Sequence, residues 1–176
     1  MQKFILAGGL CSLALLSACA GGMGSRGTTQ AEAQLAPTQG NKVTGNVTFK
    51  QSGEKVMVLA EVSGLSPGLH GFHIHDKGDC SAPDGTSAGG HFNPTAKAHG
   101  SPEHGDHHAG DLMQLVADSN GVARQASYID GVTIGDGGPT DIVGRSVIVH
   151  ASPDDYKSQP AGNSGPRQAC GVIAKK

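Results

Sequence analysis

The sequence predicts an all-β protein, a sandwich or a barrel, and two observations carry that expectation. Apolar and polar residues alternate over several short runs separated by glycine and proline, and no stretch shows a helical period. The composition agrees, because 28 glycines, four phenylalanines, two tyrosines and no tryptophan describe many tight turns around a core of Val, Ile, Leu and Ala. With 176 residues, one domain is expected.

Over residues 43–50, Val43, Gly45, Val47 and Phe49 alternate with Thr44, Asn46, Thr48 and Lys50, the period of a half-buried strand. Ser52-Gly53 marks a turn, residues 56–62 (VMVLAEV) the antiparallel return strand, and residues 63–69, with Gly64, Pro67 and Gly68, the next break. Further strands are expected at 112–117, 122–129, 145–150 and 171–174. Residues 76–110 differ: they are rich in Gly, Pro, Ser and His and do not alternate. Structureless segments beyond about 12 to 15 residues are functional or disordered, and the histidines here point to function.

Residues 1–40 are read as lying outside the fold. Lys3, the apolar run 4–16 and the small residues Ser17 and Ala18 have the form of a secretory signal peptide over residues 1–18. The run is too short for a transmembrane span, which needs roughly 20 apolar residues. Leu16-Ser17-Ala18-Cys19 resembles the bacterial lipobox, which makes Cys19 the lipidated first residue of the mature chain; the alternative is a passenger cysteine. Residues 19–40, small, polar and aperiodic, are read as a flexible tether, leaving 41–176 as the domain. These features place the protein in the periplasm, lipid-anchored to the cell envelope, with that anchor as its membrane contact. Cys11 and Cys19 then belong to the leader, and Cys80 and Cys170 remain in the domain. Two cysteines in an exported domain suggest one disulfide, the alternative being two buried thiols. A formal net charge of -2 without a basic run gives no footprint for nucleic acid.

Nine histidines are the one excess with direct chemical content. His73 and His75, at i and i+2 on a strand, project from one face and so can reach one metal ion, two surface histidines being the alternative. His91, His99 and His108, with Asp111 three residues further, lie in the long loop or at its exit, and His150 ends the apolar run Val147-Ile148-Val149. Such a set suits Zn, Cu, Fe or Ni, and the lack of thiolates disfavours a zinc-finger type of site.

Gly71-Phe72-His73-Ile74-His75 resembles the first signature of the copper/zinc superoxide dismutase family, and the run Gly165-Pro166-Arg167-Gln168-Ala169-Cys170-Gly171 resembles its second. Between them, segments containing His91, His99, His108 with Asp111, and His150 fall where the family has ligands. The resemblance implies a Greek-key β-sandwich or flattened barrel of about eight antiparallel strands with long metal-binding loops. It implies copper bound by His73, His75, His91 and His150, and zinc bound by His91, His99, His108 and Asp111, with His91 as a bridging imidazolate. Copper then cycles between two oxidation states, superoxide is the substrate, and His91 is a candidate proton donor. Arg167 attracts superoxide, Asp154 links a copper ligand to a zinc ligand, and Cys80 and Cys170 form the disulfide. His70 is read as structural. His104 and His107 have no family counterparts and are read as solvated, an auxiliary metal-scavenging role being the alternative. The stretch from His150 to Arg167 is short, similar to bacterial exported members, so a homodimer is one allowed assembly whose contacts do not transfer. A metal-buffering protein without turnover is the rival reading.

Overall fold

The computed structural model describes Met1 and residues 29–176. Apart from Met1, the expected signal peptide, Cys19 and the first part of the tether lie outside the described residues. Nine strands form the framework: β1 (Gln30–Pro37), β2 (Thr44–Ser52), β3 (Lys55–Ser63), β4 (Gly68–His70), β5 (Phe72–His75), β6 (Leu115–Ala117), β7 (Val122–Ile129), β8 (Ser146–His150) and β9 (Arg167–Lys175). Among the described residues the only helix is a 3-10 turn at Thr86–Ala88. Seven strands join in the order β5-β8-β9-β1-β2-β3-β7, and β4 pairs with β6 in a small ribbon. All these pairings are antiparallel. The ribbon lies beside β7 through β6 and continues through Gly71 into β5, so the large sheet curls into a flattened barrel. After β7 the chain crosses back to lay β8 beside β5, a Greek-key connection.

Strand β1 corrects the expectation of a tether reaching residue 40. It pairs with β2 on one side and β9 on the other, which makes it a central strand. Its alternation is present, with Ala31, Ala33 and Leu35 buried, but alanine is a poor strand former and the outward residues are Gln and Glu, so the hydropathy signal is weak. Small side chains here face larger neighbours, Ala31 opposite Phe49 and Ala33 opposite Val47, while Leu35 faces Gly45. That alternation of volume lets the facing side chains interdigitate. Three other bounds also shift. Strand β4 enters the expected break, β6 starts at Leu115 because Leu112 N–H is engaged by the Phe72 carbonyl, and β9 is more than twice the expected length.

The barrel interior is lined by Val47, Phe49, Val56, Val58, Phe72, Ile74, Leu115, Val147, Val149 and Ile173. Strands β5 and β8 are buried on both faces. Phe72, Ile74, Val147 and Val149 point inward; His73, His75, Ile148 and His150 therefore lie on the outer face, beneath residues 76–114. A second small core of Ala88, Ile148 and Cys170, with Cys80 against it, seats that segment on β8 and β9.

Deleting residues 29–40 should abolish the cooperative thermal transition, because it removes a central strand and leaves β2 and β9 with unpaired edges. A chain beginning at Asn41 that melts like the longer protein in a calorimeter would contradict this placement.

Candidate metal centre

Strand alternation puts His73 and His75 on the outer face of β5, and pairing of β5 with β8 brings His150 beside them. The long loop then closes over this face by running along the free edge of β5. Ile74 N–H donates to Gly110 O at 2.8 Å, Phe92 N–H donates to Ile74 O at 2.8 Å, and His75 forms an isolated bridge with His91. Gly110 is required at this approach, since a Cβ there would collide with the Ile74 carbonyl oxygen.

Two groups of side chains result, each with ligand atoms within 4.8 Å of one another: His73, His75, His91 and His150, and His91, His99, His108 and Asp111. His91 belongs to both. Its ring centroid is 4.0 Å from that of His73 and 5.0 Å from His75 on one side, and 5.3 Å from His99 and 5.4 Å from His108 on the other. In the first group each ring has one nitrogen fixed and one buried nitrogen without a hydrogen-bond partner. His73 Nε2 meets Asp154 Oδ2 at 2.6 Å, His75 Nδ1 donates to Gly89 O at 2.9 Å, His91 Nδ1 meets Asp111 Oδ1 at 2.8 Å, and His150 Nδ1 donates to Gly165 O at 3.1 Å. The unpartnered atoms are His73 Nδ1, His75 Nε2, His91 Nε2 and His150 Nε2. In the second group, Nδ1 of His91, His99 and His108 lie 2.8, 3.0 and 3.5 Å from the same oxygen, Asp111 Oδ1. Asp111 Oδ2 accepts from the backbone N–H of His108 at 2.8 Å and of Gly100 at 3.2 Å.

Asp154 bridges the groups, with Oδ2 on His73 Nε2 and Oδ1 on His99 Nε2 at 2.9 Å. Gly162 is confined to glycine there, because its φ is 64° and a Cβ would collide with Asp154 Oδ1. Arg167 is half-buried and donates from Nη1 to Gly85 O and from Nη2 to Gly89 O, both at 2.6 Å. It lines a cleft with Thr38, Asp84, Thr86, Gly165 and Pro166. Cys80 and Cys170 form a disulfide with a Cα–Cα distance of 5.8 Å, closing a sequence separation of 90 residues.

Burial shapes the titration of these groups. It lowers His75 well below its ordinary value, with His91 adding to the effect. It lowers His91 to about 4 against the opposing bond to Asp111, and His150 to about 3 with help from His73. Burial also pulls on His99, but its bonds to Asp111 and Asp154 outweigh it and raise the ring to about 9. Burial pushes the Asp111 and Asp154 carboxyls upward, yet the histidines around them hold both well below the ordinary carboxylate range. Arg167 is lowered by burial, which Asp84 opposes.

All seven residues expected as ligands are thus brought together, with Asp154 between them. Arg167 stands beside the first group through Gly89, whose carbonyl it shares with His75. His70 is apart from both groups; its ring nitrogens lie 2.8 Å from the carbonyl oxygens of His150 and Ser66. His104 is exposed, and His107 is half-buried with Nδ1 donating to His108 O. Sequence reasoning missed the carbonyls of Gly85, Gly89 and Gly165, which no side-chain pattern marks. It also missed Thr38, whose hydroxyl donates to Arg167 O at 2.7 Å from a segment read as tether.

The fold and the site define a Greek-key β-barrel that carries a paired histidine-carboxylate metal centre on its outer face. A model of the copper/zinc superoxide dismutase family matches residues 43–173, and the chain belongs to that family. An extracellular superoxide dismutase [Cu-Zn] of Onchocerca volvulus is 42% identical over 163 residues, covering 86% of this chain and 79% of that protein. A superoxide dismutase [Cu-Zn] 2 of Brassica juncea is 46% identical over 138 residues, covering 74% of this chain and 89% of that protein. Among solved structures, that of the clock protein EA4 superimposes with a TM-score of 0.74 at 41% identity, covering 84% of this chain and 94% of that one.

The metal-free protein should be most stable near pH 6.5. His75, His91 and His150 have lowered values, so their contribution is full above 6.5 and lost as pH falls toward 4. His99 is raised, so its contribution is full below 6.5 and lost as pH rises through 9. Melting temperatures in chelator from about pH 4 to about pH 10 should pass through a maximum, and a monotonic rise would contradict this balance.

Proposed function

We infer that this chain is an oxidoreductase that converts two superoxide anions and two protons into dioxygen and hydrogen peroxide, using one copper and one zinc ion per subunit. We assign copper to His73, His75, His91 and His150, and zinc to His91, His99, His108 and Asp111. The observation that carries the assignment is the convergence of four buried, unpartnered imidazole nitrogens whose opposite nitrogens are already fixed. Three neutral imidazoles with the His91 imidazolate suit copper, and three imidazole rings, His91 among them, with a carboxylate suit zinc. His91 offers Nδ1 to one group and Nε2 to the other, as a bridging ligand must.

When bound, copper supplies a one-electron couple that takes an electron from one superoxide and gives it to the next, while zinc, having no redox chemistry, supplies charge and shape. The chain's own residues supply the remainder. Arg167 keeps its charge and lines the cleft through which a small anion approaches, and its guanidinium is held in place by two carbonyls. When its Nε2 is not engaged by copper, His91 would hold a proton there and pass it to the forming peroxide. Asp154 fixes His73 and His99 together, so the two groups would present their ligand atoms in one relative arrangement.

We further propose export: a signal peptide over residues 1–18, lipidation at Cys19, a tether shortened to residues 19–29, and a periplasmic, envelope-anchored enzyme of the bacterial lipoprotein type that removes superoxide outside the cytoplasm. The Cys80–Cys170 disulfide supports an oxidising compartment.

Protein reconstituted with copper and zinc should consume superoxide, and full metal loading without turnover would overturn the reading. Arg167→Ala should retain both metals while kcat/KM falls roughly tenfold or more, with Arg167→Lys less affected. Mass spectrometry of membrane-extracted protein should find a chain beginning at an acylated Cys19. An unmodified mass would reject the anchor, and native mass reads the subunit number, a homodimer being one allowed assembly.

A further inference from the structure

His99 and Asp154 lie outside every strand, so neither has a backbone ladder to hold it. Each is instead gripped by a glutamine from the other's loop. The Gln159 side chain accepts from His99 N–H at 2.9 Å and donates to His99 O at 2.9 Å. Gln114, three residues after Asp111, accepts from Asp154 N–H at 2.8 Å and donates to Asp154 O at 3.0 Å. A primary amide offers both an acceptor and donors, and so stands in for a neighbouring strand toward a single residue. Two-point contact fixes the orientation of the residue's backbone and leaves only the side-chain torsions free, which one hydrogen bond does not do. Both glutamines stand apart from the seven residues assigned above to the metals. The arrangement is reciprocal: the loop that carries Asp154 holds His99, and the loop that carries His99 holds Asp154.

We propose that Gln159 and Gln114 are positioning residues of the zinc-side group, fixing the backbones of His99 and Asp154 so that the His99 ring stands between Asp111 and Asp154. This rests on the assignment of His99 and Asp111 to zinc made above. In the short stretch between His150 and Arg167, Gln159 supplies a cross-link to His99 from only five residues beyond Asp154.

The test titrates zinc into the metal-free protein against a chromophoric chelator and records the visible absorption of Co(II) placed in the zinc site. Gln159→Ala and Gln114→Ala should each weaken zinc roughly threefold to tenfold, the effect of losing neutral hydrogen bonds, and should alter the cobalt bands. Gln159→Glu keeps an acceptor for His99 N–H but has no donor for the carbonyl, and should fall between Gln159→Ala and the parent. Should an alanine variant fail to fold, Gln159→Glu carries the test. Unchanged zinc affinity and cobalt bands in the folded variants would overturn the proposal, even with a lowered melting temperature. His99→Ala separates the two readings. If it keeps the parent's zinc affinity, the zinc assignment fails and the proposal with it; if it loses zinc while the glutamine variants do not, the proposal alone fails.

Discussion

Burying an imidazole nitrogen without a partner is costly, and this protein gathers four such atoms in one small volume on the outside of its barrel. A cation offsets that cost in a way that no rearrangement of the rings does, because the opposite nitrogen of each ring is already committed to a carbonyl or carboxylate. The commitment settles which nitrogen faces inward. It also requires that three carbonyls, those of Gly89 for His75, Gly165 for His150 and Gly85 for Arg167, be brought to the same place by loops. Much of the architecture outside the barrel core follows from meeting that requirement.

The strands solve half of it. Because β5 and β8 are buried on both faces, their outward positions hold histidines in a dry environment without being part of the barrel core. The loops solve the rest, and they do so through charge. Asp111 and Asp154 remain ionised while deeply buried, each surrounded by imidazoles and backbone N–H groups, so the negative charge is neutralised locally rather than by solvent. Removing either carboxylate would leave several buried donors without acceptors, which costs more than the loss of one ordinary surface pair.

The residues that converge in the two groups were legible in the sequence because histidine is chemically specific, and because residues at i and i+2, such as His73 and His75, share one face of a strand. The strands at residues 44–52, 55–63 and 122–129 were legible from alternation. Strand β1 was not, because Ala31 and Ala33 carry the alternation with so little apolar area that its neighbours Phe49 and Val47 were needed to explain it. The connecting carbonyls of Gly85 and Gly89 were beyond reach for a different reason: every residue has a carbonyl, and only the folded path of the loop says which one points at a histidine or an arginine. Gln114 and Gln159 fall between these cases, being visible as residues but without a periodicity or motif to mark them.

The disulfide gains significance from the carbonyls it lies beside. Cys80 is tied to the strand that carries Arg167, and the short segment after it supplies both Gly85 and Gly89. One covalent bond therefore restrains the anchors of Arg167 and of His75 at once. Before Cys80 and Cys170 are oxidised, those anchors depend on a long loop whose closure carries its full entropic cost. Oxidation thus couples the redox state of one cysteine pair to the placement of the carbonyls that hold Arg167 and His75.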